Sequence, residues 1–469
     1  VDASIVSQEN IFRLKQSGIS SIMAAYSGSR QVWAPILGSA LTTVVVFIPI
    51  LLLDLPVGQL FRDIGIAISV SVLISVIISI TLIPSVASRI LQSSTVKKAQ
   101  SIGELQANAN RLAKQLHEQF DYPAVQVLFS NPNGMVTANA GRTGFWGKEG
   151  QRVLINQQPL VDSNSRFYIG SVSKVFLGVL ILQLVEEGRL RLEDTLGQYL
   201  PEEVKDLPNA HDATILEVLQ HSSGITTEYK EFDTIRKLEA QPMYEVTASD
   251  LIQNSRTSPS ATKGQYAYSN TGYLLLGELA EKVTGQPLRT LFKERIFDKL
   301  DMSQTDYGLD TVPSNLVVHH SQDGQDTSEL NTRFLGYSSA GGIVSTATDL
   351  SKFLNGLFRD KTLLSQDMLK NMMDLTLPVQ PNLPLLSGLG LIKIDLGHQT
   401  FYGHAGLTWG SQAYWMYTPA TDSSVIVLTN RSNLSLKDKE KHGQTLSEEL
   451  DPLLYSNDLF KTHMVMQPE

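Results

Sequence analysis

The sequence predicts an α/β (α+β) domain that follows a transmembrane helical hairpin. Two uncharged runs, about 31–53 and 64–88, each exceed the roughly 20 apolar residues that cross a bilayer. Strand-like segments occur in pairs near both ends of the remaining chain, and helical patterns lie between them. This order predicts one sheet built from both ends of the domain, with a helical insert.

The composition excludes several classes of protein. The 469 residues carry a formal net charge of −9 and an isoelectric point near 5.6, which argues against a general nucleic-acid-binding protein. There is no cysteine, so the chain has no disulfide, thiol nucleophile or thiolate metal site. The nine histidines show no spacing typical of metal ligands, and we expect neither a metal nor another cofactor.

The two apolar runs are joined by a turn, residues 54–63, that contains Pro56 and Gly58. The runs are too long for a secretory signal peptide, come as a pair and begin inside the sequence. A pair of buried helices in a soluble domain is the alternative. Basic residues flank the pair on both sides: Arg13, Lys15, Arg30, Arg89, Lys97 and Lys98. Because the turn holds only Arg62, the positive-inside rule predicts that both flanks face the cytoplasm.

Four stretches within the first 92 residues carry a family resemblance. They are Val-Asp-Ala-Ser-Ile-Val-Ser-Gln-Glu-Asn-Ile at 1–11, Leu-Thr-Thr-Val at 41–44, Gly-Gln-Leu-Phe-Arg-Asp at 58–63 and Leu-Ile-Pro-Ser-Val-Ala-Ser-Arg at 82–89. Together they resemble the resistance–nodulation–division exporters, from the end of the fourth membrane helix through the sixth. The resemblance places Asp2 at a proton-relay acid. It predicts a fragment of an efflux transporter over residues 1–92 rather than a working pump.

A junction separates this part from the rest of the chain. Residues 93–104 are predicted to be a linker, and a second domain is expected over 105–469. Apolar residues then recur at helical spacing: Ile102, Leu105, Ala109, Leu112, Leu116 and Phe120. We expect this amphipathic helix to pack on the second domain.

The second domain begins and ends with strand-like sequence. Segments 124–130 and 135–140 flank Asn-Pro-Asn-Gly, which is typical of a hairpin turn. Segments 411–417 and 423–429 form a similar pair near the other end. Helices and loops are expected between them, to about residue 380.

One serine of the domain stands at the start of an apolar helix. The run 175–185 is rich in leucine and apolar on all sides, which predicts a buried helix that ends before Gly188. Ser171 and Lys174 are three residues apart, so they share a face of its first turn. A serine is a weak nucleophile until a base takes its proton, and a desolvated lysine is one such base. Alone this pattern is weak, because Ser-x-x-Lys also occurs at 94–97 and 260–263.

The second motif is Tyr268-Ser269-Asn270, just before another helical pattern over 271–279. A tyrosine beside a cationic lysine is a candidate general base, because the positive charge favours the phenolate. Helix capping by Asn270 or Thr271 is the structural alternative. A similar triplet at 455–457 lies in the C-terminal tail.

The third motif is His404-Ala405-Gly406, the only His-x-Gly in the chain. Its glycine allows a ligand to approach the backbone closely. A strand here would offer an edge for substrate pairing and a backbone N–H for an oxyanion. A loop histidine without function is the alternative.

In this order the three motifs resemble the serine β-lactamase and penicillin-binding superfamily, over about residues 105–455. The closer likeness is to the branch of class C β-lactamases, D-alanyl-D-alanine carboxypeptidases and esterases. Further stretches support it: 219–225, 268–285, 338–349 and 404–430. The resemblance implies a serine β-lactamase-like fold, with an antiparallel sheet flanked by helices, a helical domain and the site between them.

The resemblance also implies roles for individual residues. Ser171 would be the acylated nucleophile, Lys174 its proton partner, and Tyr268 the base toward the serine and the acid toward the leaving group. Asn270 would bind the substrate amide. The substrate would also meet the third motif, at His404, Gly406 and Leu407. His404 stands where many relatives have lysine, and the N–H groups of Ser171 and Leu407 would form the oxyanion hole. Because histidine is only partly charged at neutral pH, we expect weak binding of a carboxylate there.

The sequence therefore predicts a serine hydrolase that acts through an acyl-enzyme on a small-molecule or peptide substrate, namely a peptide, amide or ester. A membrane efflux component and a non-catalytic penicillin-binding-like sensor are the alternatives. The N-terminal helices predict contact with a membrane and a place in the bacterial inner membrane. For the side of the hydrolase, the charge pattern indicates the cytoplasm and the family resemblance the periplasm.

Overall fold

The structure is a computed structural model in which the chain forms two compact units, Val1–Lys98 and Ala99–Glu469. The residues it describes are 10–11, 26, 29–35, 37–39, 41–42, 45–46, 58–78, 101–119, 122–143, 159–225, 246–253, 255–256, 260–309, 313–320, 326–336, 338–375, 377–379, 385–395 and 400–432. The domain boundaries predicted at 92 and 105 stay a prediction.

The N-terminal unit contains helix α1 (Gly58–Ile77), which begins inside the predicted turn. Its first two turns include Arg62 and Asp63, so its uncharged part, residues 64–77, measures only about 21 Å at 1.5 Å per residue. Among the described residues, no helix combines the length and the apolar character that a bilayer span requires. The predicted inner-membrane location is therefore wrong, and the predicted membrane contact through N-terminal helices is not supported. The remainder of both predicted spans lies outside the described residues.

The second unit consists of short helices and strands in mixed order. Its helices are α2 (Ile102–Gln119), α3 (Ser173–Glu186), α4 (Leu196–Tyr199), α5 (Ile215–Leu219), α6 (Ala248–Gln253), α7 (Asn270–Thr284), α8 (Leu288–Phe292), α9 (Ser328–Leu335), α10 (Ala347–Leu354) and α11 (Gln366–Met373). Its strands are β1 (Ala124–Asn131), β2 (Gly134–Gly141), β3 (Phe167–Tyr168), β4 (Asp306–Tyr307), β5 (Ile343–Ser345), β6 (Leu377–Pro378), β7 (Leu385–Ser387), β8 (Ile392–Asp395), β9 (Thr400–Leu407), β10 (Gln412–Thr418) and β11 (Ser423–Thr429).

Eight of the strands form one antiparallel sheet in the order β2-β1-β11-β10-β9-β8-β7-β6. The first strand of the domain pairs with the last, with Val125 opposite Thr429. The prediction of one sheet built from both ends is thus confirmed. The hairpin turn is also as predicted, and Gly134 has a φ of 143° there, which only glycine adopts readily.

Alternate residues of a strand point to opposite faces of the sheet, and apolar clusters cover both faces. On one face Val125, Val127 and Phe129 of β1 pack with Leu112 and Leu116 of α2. The amphipathic helix therefore packs on the second domain as predicted. On the other face, alternate residues such as Leu128 and Trp415 belong to the larger core that contains α3.

Helix α3 is the centre of this larger core. Every residue from Ser173 to Leu184 is buried, and Gly188 after the helix has a φ of 69°, so both predictions for this segment are confirmed. A 3₁₀ turn, Gly170–Val172, leads into the helix. Strand β3, which comes just before this turn, belongs to a second sheet in the order β3-β5-β4. The N–H of Ile169 donates to the carbonyl of Ile343 at 3.0 Å, which fixes the chain just before Ser171.

Candidate active site

Three predicted site residues meet at the start of α3. The Lys174 amine donates a hydrogen bond to Ser171 Oγ at 3.1 Å, and the Tyr268 hydroxyl lies 2.6 Å from the same oxygen. Lys174 Nζ also lies 4.8 Å from the centre of the Tyr268 ring. One serine hydroxyl is thus within hydrogen-bond distance of an amine and of a phenol.

The amine of Lys174 is fully buried and donates to neutral oxygens. Besides Ser171 Oγ, it donates to Asn270 Oδ1 at 2.8 Å and to the carbonyl of Ala340 at 2.7 Å. Several such bonds are needed to keep a buried cation in place, since an unsatisfied charge is costly away from water. The role of the Ala340 carbonyl was missed by sequence reasoning, although the Ala-Gly-Gly stretch at 340–342 was visible as part of the 338–349 resemblance.

Helix α7 positions Asn270. The helix is capped by Ser269, whose hydroxyl accepts from the N–H of Gly272 at 2.9 Å. The alternative that Asn270 or Thr271 caps the helix is therefore wrong. Because the neighbouring serine caps the helix, the Asn270 side chain can accept the hydrogen bond from Lys174.

Removing this cap is expected to lower both stability and activity. Ser269→Ala should reduce the free energy of unfolding by about 1 kcal/mol, because a buried N–H loses its acceptor. Ser365→Ala provides a matched control, since Ser365 caps α11 in the same way, through Met368. Chemical denaturation should show a loss in both variants, smaller in Ser365→Ala because water can reach its exposed N–H, and only Ser269→Ala should lower the kcat for an ester. Equal kcat values in the two variants would contradict a link between the cap and the site.

His404 lies on β9, opposite Trp415, and so faces the same side of the sheet as α3. Its Nδ1 donates to the carbonyl of Ala405 at 2.5 Å, which fixes the tautomer and leaves Nε2 as an acceptor. Burial and the charge of Lys174 lower the pKa of His404 to about 3. The imidazole is therefore neutral at physiological pH, whereas the sequence predicted partial charge. Its ring centre lies 6.5 Å from that of Tyr268.

Two glycines allow β9 to touch the turn that carries Ser171. A Cβ on Gly406 would lie 1.8 Å from the carbonyl oxygen of Ile169 and 3.1 Å from the nitrogen of Ser171. A Cβ on Gly170, whose φ is 53°, would lie 2.7 Å from the nitrogen of Leu407. The backbone segments of Ser171 and Leu407 are therefore packed together, with no room for a side chain at either glycine.

The third motif also lies at an open strand edge. Strand β8 pairs with β9 only as far as Gly403, opposite Ile392. Beyond that point, within the described part of the sheet, residues 404–407 pair with β10 on their other side. An extended substrate could pair with this free edge.

The other Ser-x-x-Lys pattern in the described residues has no such surroundings. Ser260 is exposed, and Lys263 forms an ion pair with Glu217 at 3.0 Å. The pattern at 94–97 and the triplet at 455–457 lie outside the described residues. No group of histidine, aspartate and glutamate in the described part of the chain could hold a metal ion.

The family model described as Beta-lactamase matches residues 109–447. This chain belongs to the beta-lactamase family. The prediction of a serine hydrolase related to the penicillin-binding proteins is confirmed. The roles assigned to single residues of this beta-lactamase family member stay predictions.

Curated relatives and solved structures agree with the family. Penicillin-binding protein 4 of Amycolatopsis lactamdurans is 27% identical over 289 residues, which are 58% of this chain and 73% of the relative. A putative D-alanyl-D-alanine carboxypeptidase of Escherichia coli is 27% identical over 209 residues, 42% of this chain and 46% of the relative. The chain thus spans 46% to 73% of the length of these two beta-lactamase family proteins. The D-amino acid amidase of Ochrobactrum anthropi has the same fold, with a TM-score of 0.59 at 22% identity, covering 76% of this chain and 97% of the amidase.

A second family model, described as AcrB/AcrD/AcrF family, matches residues 1–141. The multidrug resistance protein MdtC of Photorhabdus laumondii is 40% identical over 102 residues, 22% of this chain and 10% of the relative. The predicted resemblance of the N-terminal part to an efflux transporter is confirmed. The two matches overlap at 109–141, and the strands there pair with each other and with β11, so structurally they belong to the sheet of the beta-lactamase family domain.

Proposed function

We propose that this chain is a serine amidase or peptidase that acts through an acyl-enzyme on Ser171 and prefers substrates without a carboxylate beside the scissile bond. The observation that carries the proposal is the position of one hydroxyl between two proton-transfer groups. Ser171 Oγ is 3.1 Å from the Lys174 amine and 2.6 Å from the Tyr268 oxygen. A serine so placed can lose its proton as it attacks a carbonyl carbon.

Acylation requires a base first and an acid afterwards. Tyr268 takes the proton from Ser171 Oγ as the bond from Oγ to the carbonyl carbon forms, and the charge of Lys174 stabilises the phenolate. The proton then passes to the departing nitrogen or oxygen as its bond to that carbon breaks. Water repeats these steps on the acyl-enzyme, releases the acid and restores the serine.

Backbone groups complete the proposed site. The N–H groups of Ser171 and Leu407 would donate to the oxyanion, since Gly170 and Gly406 bring their segments together. The substrate backbone would lie along the free edge of β9 beyond Gly403. Asn270, held at the site by its bond to Lys174, would donate its amide N–H to the substrate carbonyl.

The neutral His404 supports the choice of substrate class. A charged lysine at this place would attract the carboxylate of a β-lactam or of a peptide C-terminus, whereas a neutral imidazole gives no such attraction. Amides of D-amino acids are the first class to test, because an amidase of that specificity has this fold. Peptides ending in D-alanyl-D-alanine are the competing class, from the carboxypeptidase relative.

Intact mass spectrometry after incubation with a fluorophosphonate tests the mechanism, and a panel of hydrolysis assays tests the substrate class. We expect one adduct, located on Ser171 by peptide mapping, and faster hydrolysis of D-aminoacyl amides than of D-alanyl-D-alanine peptides. The reverse preference would assign a carboxypeptidase. If neither a fluorophosphonate nor a penicillin forms an adduct, the protein is a binding protein without turnover.

The charge state of His404 leads to a prediction about pH. An ordinary histidine loses its charge between about pH 5 and pH 8, so its attraction for a carboxylate would fall over that range. Because its pKa is lowered to about 3, His404 is already neutral over this whole pH range. We therefore expect the ratio of kcat/KM for a penicillin to that for a p-nitrophenyl ester to be constant across this range.

The matching substitution is His404→Lys, which should raise that ratio because it adds a positive charge beside the strand edge. Both measurements use stopped assays at constant ionic strength. A ratio that falls with rising pH in the unsubstituted protein would show that His404 is charged and binds the carboxylate.

A further inference from the structure

His221 lies behind the catalytic tyrosine, and the sequence alone assigns it no role. It follows α5 and is only 4% exposed. Its φ of 60° lies in the left-handed region, which is uncommon for a residue other than glycine and marks a local constraint.

The loop that starts at His221 holds the segment that leads to Tyr268. The carbonyl of His221 accepts from the N–H of Ala267 at 2.7 Å, and the carbonyl of Ser222 accepts from Gly264 at 2.8 Å. At the far end, the side chain of Asn209 donates to the carbonyl of Gly224 at 3.1 Å. The approach to Tyr268 is thus fixed by hydrogen bonds from residues 221–224, which we call the support loop.

The ring of His221 contacts the Tyr268 ring and the backbone that follows it. Its Nδ1 accepts from the backbone N–H of Ser269 at 3.0 Å, so the ring is neutral and has its proton on Nε2. The ring centre lies 4.4 Å from that of Tyr268 at 31° and 5.0 Å from that of Tyr273 at 33°. Burial and the charge of Lys174 hold the pKa of His221 well below its ordinary value.

We infer that His221 is a positioning residue for Tyr268: its Nδ1 fixes the backbone after the tyrosine, so that the phenol oxygen stays within hydrogen-bond distance of Ser171. The inference rests on the proposed function, since it matters only if Tyr268 transfers a proton. Loss of the His221 contact leaves the substrate edge of β9 intact. We therefore expect this loss to lower kcat and to leave KM nearly unchanged.

Two substitutions that place an amide oxygen at different distances from the backbone test this inference. In His221→Asn the amide oxygen takes the place of Nδ1, and asparagine tolerates left-handed backbone. In His221→Gln the oxygen lies one bond farther out and cannot take that place. We expect His221→Gln to lose at least about tenfold in kcat for a p-nitrophenyl ester, and His221→Asn to stay within about threefold of the unsubstituted protein.

Asn209→Ala is the control for general loosening of the support loop, because Asn209 holds the loop without touching Tyr268. It should lower the melting temperature without the tenfold loss in kcat. Should His221→Gln not fold, His221→Phe takes its place, since phenylalanine keeps a ring but has no acceptor for the N–H of Ser269.

Three outcomes separate the possibilities, with the full chain assayed well below each variant's melting temperature. A loss in His221→Gln that His221→Asn restores, with KM constant, supports the inference. Equal losses in the two variants, or a loss in Asn209→Ala as large as that in His221→Gln, overturn it. If the unsubstituted protein forms an adduct at Ser171 but hydrolyses no ester or amide, the proposed function fails before His221 is tested, and the inference fails with it.

Discussion

Ser171→Ala is expected to abolish covalent labelling by a fluorophosphonate and to lower ester hydrolysis by on the order of a thousandfold or more. The reason is that alanine has no oxygen to form the acyl-enzyme. Among the described residues, Ser171 is the serine whose Oγ is in hydrogen-bond distance of both Lys174 Nζ and the Tyr268 oxygen. Intact mass and a p-nitrophenyl ester assay measure the two effects.

The matched control is Ser260→Ala, in the other described Ser-x-x-Lys pattern. Ser260 is exposed, and its lysine, Lys263, pairs with Glu217 instead. Labelling and turnover should stay at the level of the unsubstituted protein. An adduct that persists in Ser171→Ala, or one that disappears in Ser260→Ala, would refute the assignment of the nucleophile.

The second large effect concerns the two proton-transfer groups. Lys174→Ala and Tyr268→Phe should each lower kcat/KM by about a hundredfold or more, the usual scale for losing a general acid or base. The double variant should be little worse than either single one, because the amine and the phenol act on one oxygen as a unit. Steady-state kinetics of the three variants with the same ester provide the comparison.

Tyr273→Phe is the control for Tyr268→Phe. The Tyr273 ring also lies near Lys174, at 5.5 Å, but its hydroxyl donates to the carbonyl of Leu219 and burial raises its pKa. Loss of the Tyr273 hydroxyl should lower the free energy of unfolding by about 1 kcal/mol and keep kcat/KM within about threefold of the unsubstituted protein. A double-variant defect equal to the product of the two single defects would show that Lys174 and Tyr268 work independently.

Local patterns were sufficient to predict the parts of the fold that are set by local chemistry. The hairpin around Gly134 follows from turn residues between two apolar segments, and the buried helix after Ser171 follows from an apolar run ended by Gly188. The three motifs were found by their order in the chain. The structure then brings Ser171, Lys174, Tyr268 and Asn270 together through direct hydrogen bonds.

Other features depend on tertiary contacts that no local pattern contains. The neutral state of His404 comes from burial and from Lys174, which lies more than 200 positions away in the chain. Strands β7 and β8 were not predicted, because segments of three and four residues are too short to show a period. The second predicted span was placed from residue 64 because the run is uncharged, whereas α1 begins at Gly58 and includes Arg62 and Asp63 within its helical turns.

The pairing of β1 with β11 has a consequence for how the chain folds during synthesis. Val125 leaves the ribosome early and its partner Thr429 leaves it much later, so this pair of strands cannot form until translation of the domain is nearly complete. Until then β1 has only β2 beside it and keeps one row of backbone groups unpaired. Contacts of such long sequence separation close slowly, and an unpaired strand edge invites pairing with other chains. The nascent protein is therefore most prone to aggregation in the interval before β11 emerges, which makes its yield sensitive to chaperones and to the rate of translation.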